Sequence, residues 1–270
     1  MITNHKNIEL QYTGYINTPL LWVDKLVYGL QQFKINNIKT AVFSEQLPSN
    51  LRLGKRVERY VSAELNELKS INVLAENIQI QNNKLTIGEL DCILTKDDVP
   101  HHVEIIFKFY LFDASVGNTE IEHWIGPNRN DTLLKKLTKL KEKQLPLLYN
   151  THTKPLLKSL NVDANAIQQF VFFKAQLFIP FNTNVEFKDL NKNCIKGFYV
   201  KHTALLQFKD CKFYIPSKTN WLQDVQTQVN WLKYDEFIFE INTLITAKKS
   251  PLCWIKFPNG ELQKFFVVWW

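Results

Sequence analysis

The chain has 270 residues, 45% of them hydrophobic and 22% charged, with a net charge of +7. Those values exclude a disordered or fibrous protein, and no apolar run approaches the roughly 20 residues needed to span a bilayer. No basic-then-apolar leader opens the sequence, so a cytoplasmic protein with no membrane contact is expected. The four cysteines (Cys92, Cys194, Cys211, Cys253) have no close spacing, which argues against a zinc knuckle or a redox pair.

In chain order, residues 18–33 have helical spacing after Thr18-Pro19, a start signal. A second helix is predicted over 50–69, with Leu53, Val57, Tyr60, Val61, Leu65 and Leu68 on one face. Arg52, Arg56 and Arg59 gather on the opposite face, with Glu58 at the border. Gly54 lies one turn before Glu58, where a missing side chain admits a close neighbour. The period then becomes alternating, and 73–81, 85–94 and 100–112 read as strands separated by Asn82-Asn83 and Lys96-Asp97-Asp98 turns. Along the third strand Val103, Ile105, Phe107, Phe109 and Leu111 share one face. His102, Glu104, Ile106, Lys108 and Tyr110 share the other.

A loop over 113–130 carries the run Trp124-Ile125-Gly126-Pro127-Asn128-Arg129. It leads to a helix predicted from 131 to 145, with Asn130 or Asp131 as its N-cap. Leu133, Leu137, Leu140 and Leu148 form the stripe of that helix, with Gln144 in its middle. Lys135, Lys136, Lys139 and Lys143 fall on the outer side, and Pro146 ends or bends the helix. Strands follow at 168–180, 196–208 and 211–216, then helices at 219–232 and 235–247. A terminal hairpin pairs 251–257 with 261–269 around Pro258-Asn259-Gly260.

One ordered set carries chemistry. Glu58 sits on a helix, Asp91 on a strand, Glu104 and Lys108 on the next strand, and Gln144 on the next helix. Adjacent antiparallel strands lie about 4.8 Å apart, so Asp91 can face Glu104 and Lys108. Grouped carboxylates suit Mg²⁺, or Mn²⁺, which stabilises charge on a phosphoryl oxygen, while a lysine beside the ion orients water. Of 33 basic residues only four are Arg. Arg52, Arg56, Arg59 and Arg129, with Lys135 and Lys139, are therefore candidate phosphate contacts.

This αβββα order, with Gly88-Glu89-Leu90-Asp91, Glu104-Ile105-Ile106-Phe107-Lys108 and a helical Gln144, resembles the PD-(D/E)XK nuclease superfamily, in its RecB-like branch. The runs Leu53 to Glu58, Gly88 to Asp91, His101 to Leu111, Trp124 to Asp131 and Lys136 to Leu145 more closely resemble an uncharacterised bacterial domain-of-unknown-function family. The superfamily places its second acid two residues before the lysine, where this chain has Ile106. Glu104 lies four before Lys108, about 13 Å away along a regular strand. Either a bulge brings Glu104 down, Glu89 substitutes, or the site is degenerate.

The resemblance implies an α/β fold, a restriction-endonuclease-like mixed sheet flanked by helices. The core would cover 1–180, and a C-terminal α+β extension would pack on it over 181–270. It also implies Mg²⁺-dependent hydrolysis of nucleic acid, DNA first. Asp91 and Glu104 or Glu89 would hold the metal, Lys108 would position water, Glu58 would support the metal, and Gln144 would contact the site. The alternative is a non-catalytic module, binding nucleic acid or a partner, on a degenerate nuclease core.

Overall fold

The computed structural model describes residues 3–35 and 43–270. Its first helix, α1 (Thr3–Ile16), is not announced by the sequence, because its buried face mixes Ile8, Tyr12 and Tyr15 with Gln11. The helix expected over 18–33 does not form. Thr18 instead closes the end of α1, its hydroxyl donating to the Gly14 carbonyl across 2.7 Å. The following segment bonds to a strand edge, through Leu21 N–H to Phe173 O and Phe33 N–H to Val171 O, both 2.8 Å.

Helix α2 (Leu53–Asn66) is shorter than the 50–69 expected and buries the predicted face. Three strands follow, β1 (Ile71–Asn82), β2 (Leu85–Lys96) and β3 (Val99–Phe112). Their turns place Asn83, Asp97 and Asp98 at positive φ, a region that Asn and Asp tolerate better than most residues. A two-residue strand, β4 (Trp124–Ile125), pairs with the end of β3. Thr132, rather than Asn130 or Asp131, caps α3 (Leu133–Lys139), its hydroxyl accepting from Lys135 N–H.

The helix expected to 145 then changes character. Residues Leu140–Gln144 form a π turn and Leu145–Tyr149 a 3₁₀ turn. A short helix α4 (Lys154–Ser159) leads into β5 (Gln168–Pro180). Beyond it lie β6 (Ile195–Lys201), β7 (Lys212–Tyr214), α5 (Tyr234–Thr246), β8 (Leu252–Lys256) and β9 (Leu262–Val268). The strand expected over 196–208 ends at Lys201, where a 3₁₀ turn begins. The helix expected over 219–232 is reduced to a 3₁₀ turn, Lys218–Leu222. Leu232 exchanges backbone bonds with Phe213 on the outer side of β7 instead.

The strands make one mixed sheet in the order β1-β2-β3-β5-β6-β9-β8-β7, with β4 beside β3. Parallel pairs run from β3 through β5 and β6 to β9, and the flanks are antiparallel. The C-terminal strands thus continue the same sheet instead of packing on it as a separate layer. β6 pairs with β5 only from Leu177 onward, and the bonds from the 18–33 segment serve the exposed stretch of edge before it. Those edge groups otherwise lack partners, which explains why tertiary demand overrode helical spacing there.

On one sheet face Val103 and Phe107 pack with Tyr15 of α1 and Tyr60 of α2. On the other, Ile106, Tyr110 and Phe173 pack with Leu137 of α3. Among the described residues no helix is long and apolar enough to cross a membrane.

Candidate functional site

The β2–β3 ladder runs from Lys96↔Val99 to Cys92↔Val103 and stops there, while β2 continues along β1. Asp91 is the first residue beyond that stop, and the same register sets it opposite Glu104. Its carboxylate replaces the missing backbone acceptor, Oδ2 taking the Ile105 N–H at 2.9 Å. The strands part here, and the notch is occupied from α3 and its π turn.

Into this notch come Lys136 and Gln144. Gln144 Nε2 donates to Glu104 Oε2 at 2.5 Å, and Lys136 Nζ donates to Gln144 Oε1 at 2.8 Å. Because an ammonium only donates, Gln144 must turn its oxygen to the lysine and its N–H to the carboxylate. On the far side, Gln169 Nε2 donates to both Leu145 O (2.6 Å) and His102 Nδ1 (3.0 Å). That leaves the imidazole proton on Nε2, which donates to Glu104 Oε1 at 3.0 Å. Glu104 is 0% exposed, yet each of its oxygens has a donor.

Charge follows from this burial. Asp91 is pushed up to about 7, first by desolvation and then by the Glu104 charge, with the Ile105 N–H opposing. Lys136 is pulled down to about 8 by desolvation, against the attraction of Glu104 and Asp91. Two acids and a lysine therefore feel one another across the notch.

The lysine here is not the one expected. Lys108 pairs with Asp131 Oδ2 at 2.6 Å, both side chains being more than a third exposed. No bulge draws Glu104 toward it, since β3 keeps an unbroken register with β5 from Glu104↔Val171 to Lys108↔Ala175. Ile106, at the usual acid position, is 4% exposed and packs with Leu133 and Leu137.

The helical wheel put Lys136 outside and Gln144 in the leucine stripe. On a regular helix residues eight apart differ by about 80°. The π turn absorbs one extra residue, so the pair relates as residues seven apart, within about 20°. Lys136 was missed for that reason. The signal for it is the Lys136 to Leu145 run, which begins and nearly ends on these two residues.

Glu58 and Glu89 form a neighbouring group. Lys55 Nζ donates to Glu58 Oε2 (2.7 Å), Glu89 Oε1 (2.5 Å) and Asn77 Oδ1 (3.0 Å). Burial raises Glu58, although Lys55 opposes it. Gly88, in the run expected to be functional, serves packing, because a Cβ there would lie 2.7 Å from Leu147 Cδ2.

The basic residues divide. Arg56 does not stand on an exposed face: it is 2% exposed and donates to the carbonyls of Leu51, Pro48 and Ser49 and to Gln11 Oε1. Arg129 donates to Asp113 Oδ2 at 2.8 Å and stacks 4.5 Å from the Trp270 ring. Arg59 is held by Glu45. Arg52, Lys135 and Lys139 are exposed. Lys139 shares a 520 Å³ cleft with Glu89 and Gln144. Among the described residues no group of three or more His, Cys, Asp or Glu is placed to hold a metal ion.

No curated protein and no solved structure matches this sequence. The family description "Domain of unknown function (DUF1853)" matches residues 25–268, so the chain, with its Asp91–Glu104–Gln144–Lys136 notch, belongs to that family.

Proposed function

We propose that the chain is a nuclease-like protein that hydrolyses phosphodiester bonds of nucleic acid, DNA in the first instance, with Mg²⁺ or Mn²⁺. The observation that carries this is the convergence of Asp91, Glu104, Lys136 and Gln144 where two strands part. The αβββα order of α2, β1, β2, β3 and α3, with only the two-residue β4 between the last two, supports the PD-(D/E)XK resemblance.

The donor set fits a small hard cation. Asp91 Oδ1 takes no hydrogen bond from a described residue, and each Glu104 oxygen keeps a lone pair beyond its one donor. Two carboxylates with the remaining positions left to water is the usual habit of Mg²⁺. The ion would acidify water and stabilise charge on a phosphoryl oxygen.

The chain's own residues do the rest. Lys136 takes the part expected of Lys108, orienting water and offering a cation to the phosphoryl group. Gln144 positions Lys136 and ties it to Glu104, and His102 holds the other Glu104 oxygen. Glu58, one element away, adds negative charge near Asp91.

A second reading, a binding module without hydrolysis, is favoured by one feature. Glu104 is fully buried with both oxygens bonded, a network complete without an ion. A cleavage assay with Mg²⁺ and Mn²⁺ on single-stranded and duplex DNA and RNA separates the two. Cleavage lost in Asp91→Ala supports hydrolysis. Nucleic-acid binding without cleavage or metal uptake gives the module.

A further inference from the structure

A 770 Å³ groove opens on the Lys108 side of the site, and the C-terminal half of the chain helps to build it. Its floor is aromatic. Phe107 and Phe109 meet edge to face at 5.5 Å, and Phe109 meets Trp221 in the same way at 5.5 Å. Trp221 is only partly buried; it meets Phe266 edge to face at 5.2 Å, and the exposed Lys218 also stands over its ring, with Nζ 5.7 Å from the centroid.

The rim is basic. Arg52, Lys108 and Lys218 line it against one acid, Asp131, which is already paired to Lys108. The first turn of α2 opens on the same groove with no side chain capping it. Gly54 there would have nothing within 4 Å of an added Cβ, so the backbone is approachable.

We propose that this groove binds a single-stranded stretch of nucleic acid, with an unpaired base on Trp221 and flanking phosphates at Arg52 and Lys218. The inference rests on the nuclease-like reading and names the form of substrate that the site receives. An exposed lysine over a ring is a weak cover, and base stacking on an aromatic face is stronger than an exposed cation–π contact. Bases inside a duplex already stack on each other, so only an unpaired base can use Trp221. Lys108, on the strand face of Glu104, lines the groove beside Phe107 and Phe109 of the opposite face, so the groove runs along the β3 edge that β2 leaves after Val103.

The test is fluorescence anisotropy of the full chain with three labelled probes of equal length: oligothymidylate, its abasic counterpart, and a DNA duplex. The expected result is that oligothymidylate binds about tenfold tighter than the abasic strand, the stacking increment. Trp221→Ala should abolish that difference without changing abasic affinity, and Lys218→Glu should weaken both single strands. Because Trp221 also packs on Phe109, the abasic comparison on the unaltered protein stands independently of any folding defect in the variant.

Equal affinity for the intact and abasic strands overturns the groove, as does tighter binding to duplex. If duplex is nevertheless cleaved with metal, the groove falls and the nuclease reading stands. If none of the three probes binds and none is cleaved, both fall.

Discussion

Lys136 and Gln144 meet across 2.8 Å although the spacing of eight residues would set them on different faces of a regular helix. The π turn at Leu140–Gln144 makes the meeting possible, and it places the basic group of the site on a helix instead of a strand. Lys136→Met is therefore expected to reduce metal-dependent cleavage at least 100-fold, on the scale of a lost electrostatic donor. Lys108→Met should stay within about threefold, since its partner is an exposed acid. Comparing kcat of the two variants decides between the helix and strand lysines.

Gln144 bridges two charged groups. Gln144→Leu would leave Lys136 Nζ and Glu104 Oε2 each without a partner, so a loss of about 1–3 kcal/mol is expected. Urea unfolding of the variant checks this. A variant as stable as the parent would return Gln144 to the leucine stripe.

Arg56 is structural in this fold. Arg56→Met should lose about 2–4 kcal/mol of stability, because the Leu51 and Ser49 carbonyls lose their donor and Pro48 O and Gln11 Oε1 each lose one of two. The salt dependence of nucleic-acid binding should not move. Arg52→Ala, by contrast, should leave stability within about 0.5 kcal/mol and reduce the logarithmic salt slope by about 0.7, one single-strand phosphate.

Lys264, on β9, is 3% exposed and donates to Gln176 Oε1 (2.9 Å) and Trp221 O (3.0 Å). Burial pulls it down to about 7, with Asp224 opposing and Lys196 adding to the fall. Between that value and the ordinary lysine range the unfolded chain binds more protons, so this residue makes stability rise with pH there. As pH falls through about 7 that contribution is gone. The stability of the parent minus that of Lys264→Met should grow by on the order of 3 kcal/mol from pH 7 to pH 10. A difference that is flat across that range would show Lys264 charged in the folded state.

Metal binding to the notch should appear as stabilisation. At ten times its dissociation constant Mg²⁺ is expected to add about 1.4 kcal/mol to the parent. Asp91→Asn should remove the gain. Glu89→Gln should keep it, because Glu89 is engaged by Lys55 in the adjoining group. Thermal unfolding with and without the ion reads all three, and loss of the gain in Glu89→Gln would move the second ligand from Glu104 to Glu89.

Much of the architecture was legible because local pattern and tertiary role agreed. Strand β5 spans the residues that the apolar run predicts, and β1, β2 and β3 follow their alternation to within a few residues. The terminal hairpin turns at Gly260, whose φ of +88° suits glycine. Asp91, Glu104 and Gln144, which the fold brings to one notch, stand out in the sequence because polar groups break strand faces and helix stripes that are otherwise apolar.

Three placements were decided only by the tertiary structure. The 18–33 segment gave up helical spacing to serve the unpaired edge of β5, a demand set by where β6 stops pairing. Arg56 turned inward to the loop carbonyls of Ser49 and Leu51, which have no other donor among the described residues, and no helical wheel can show that. Lys136, not Lys108, came to lie beside Gln144 because one π turn changed the phase of a helix by about one residue. Sequence periodicity fixes a face only while the period holds, and here the site is built where it changes.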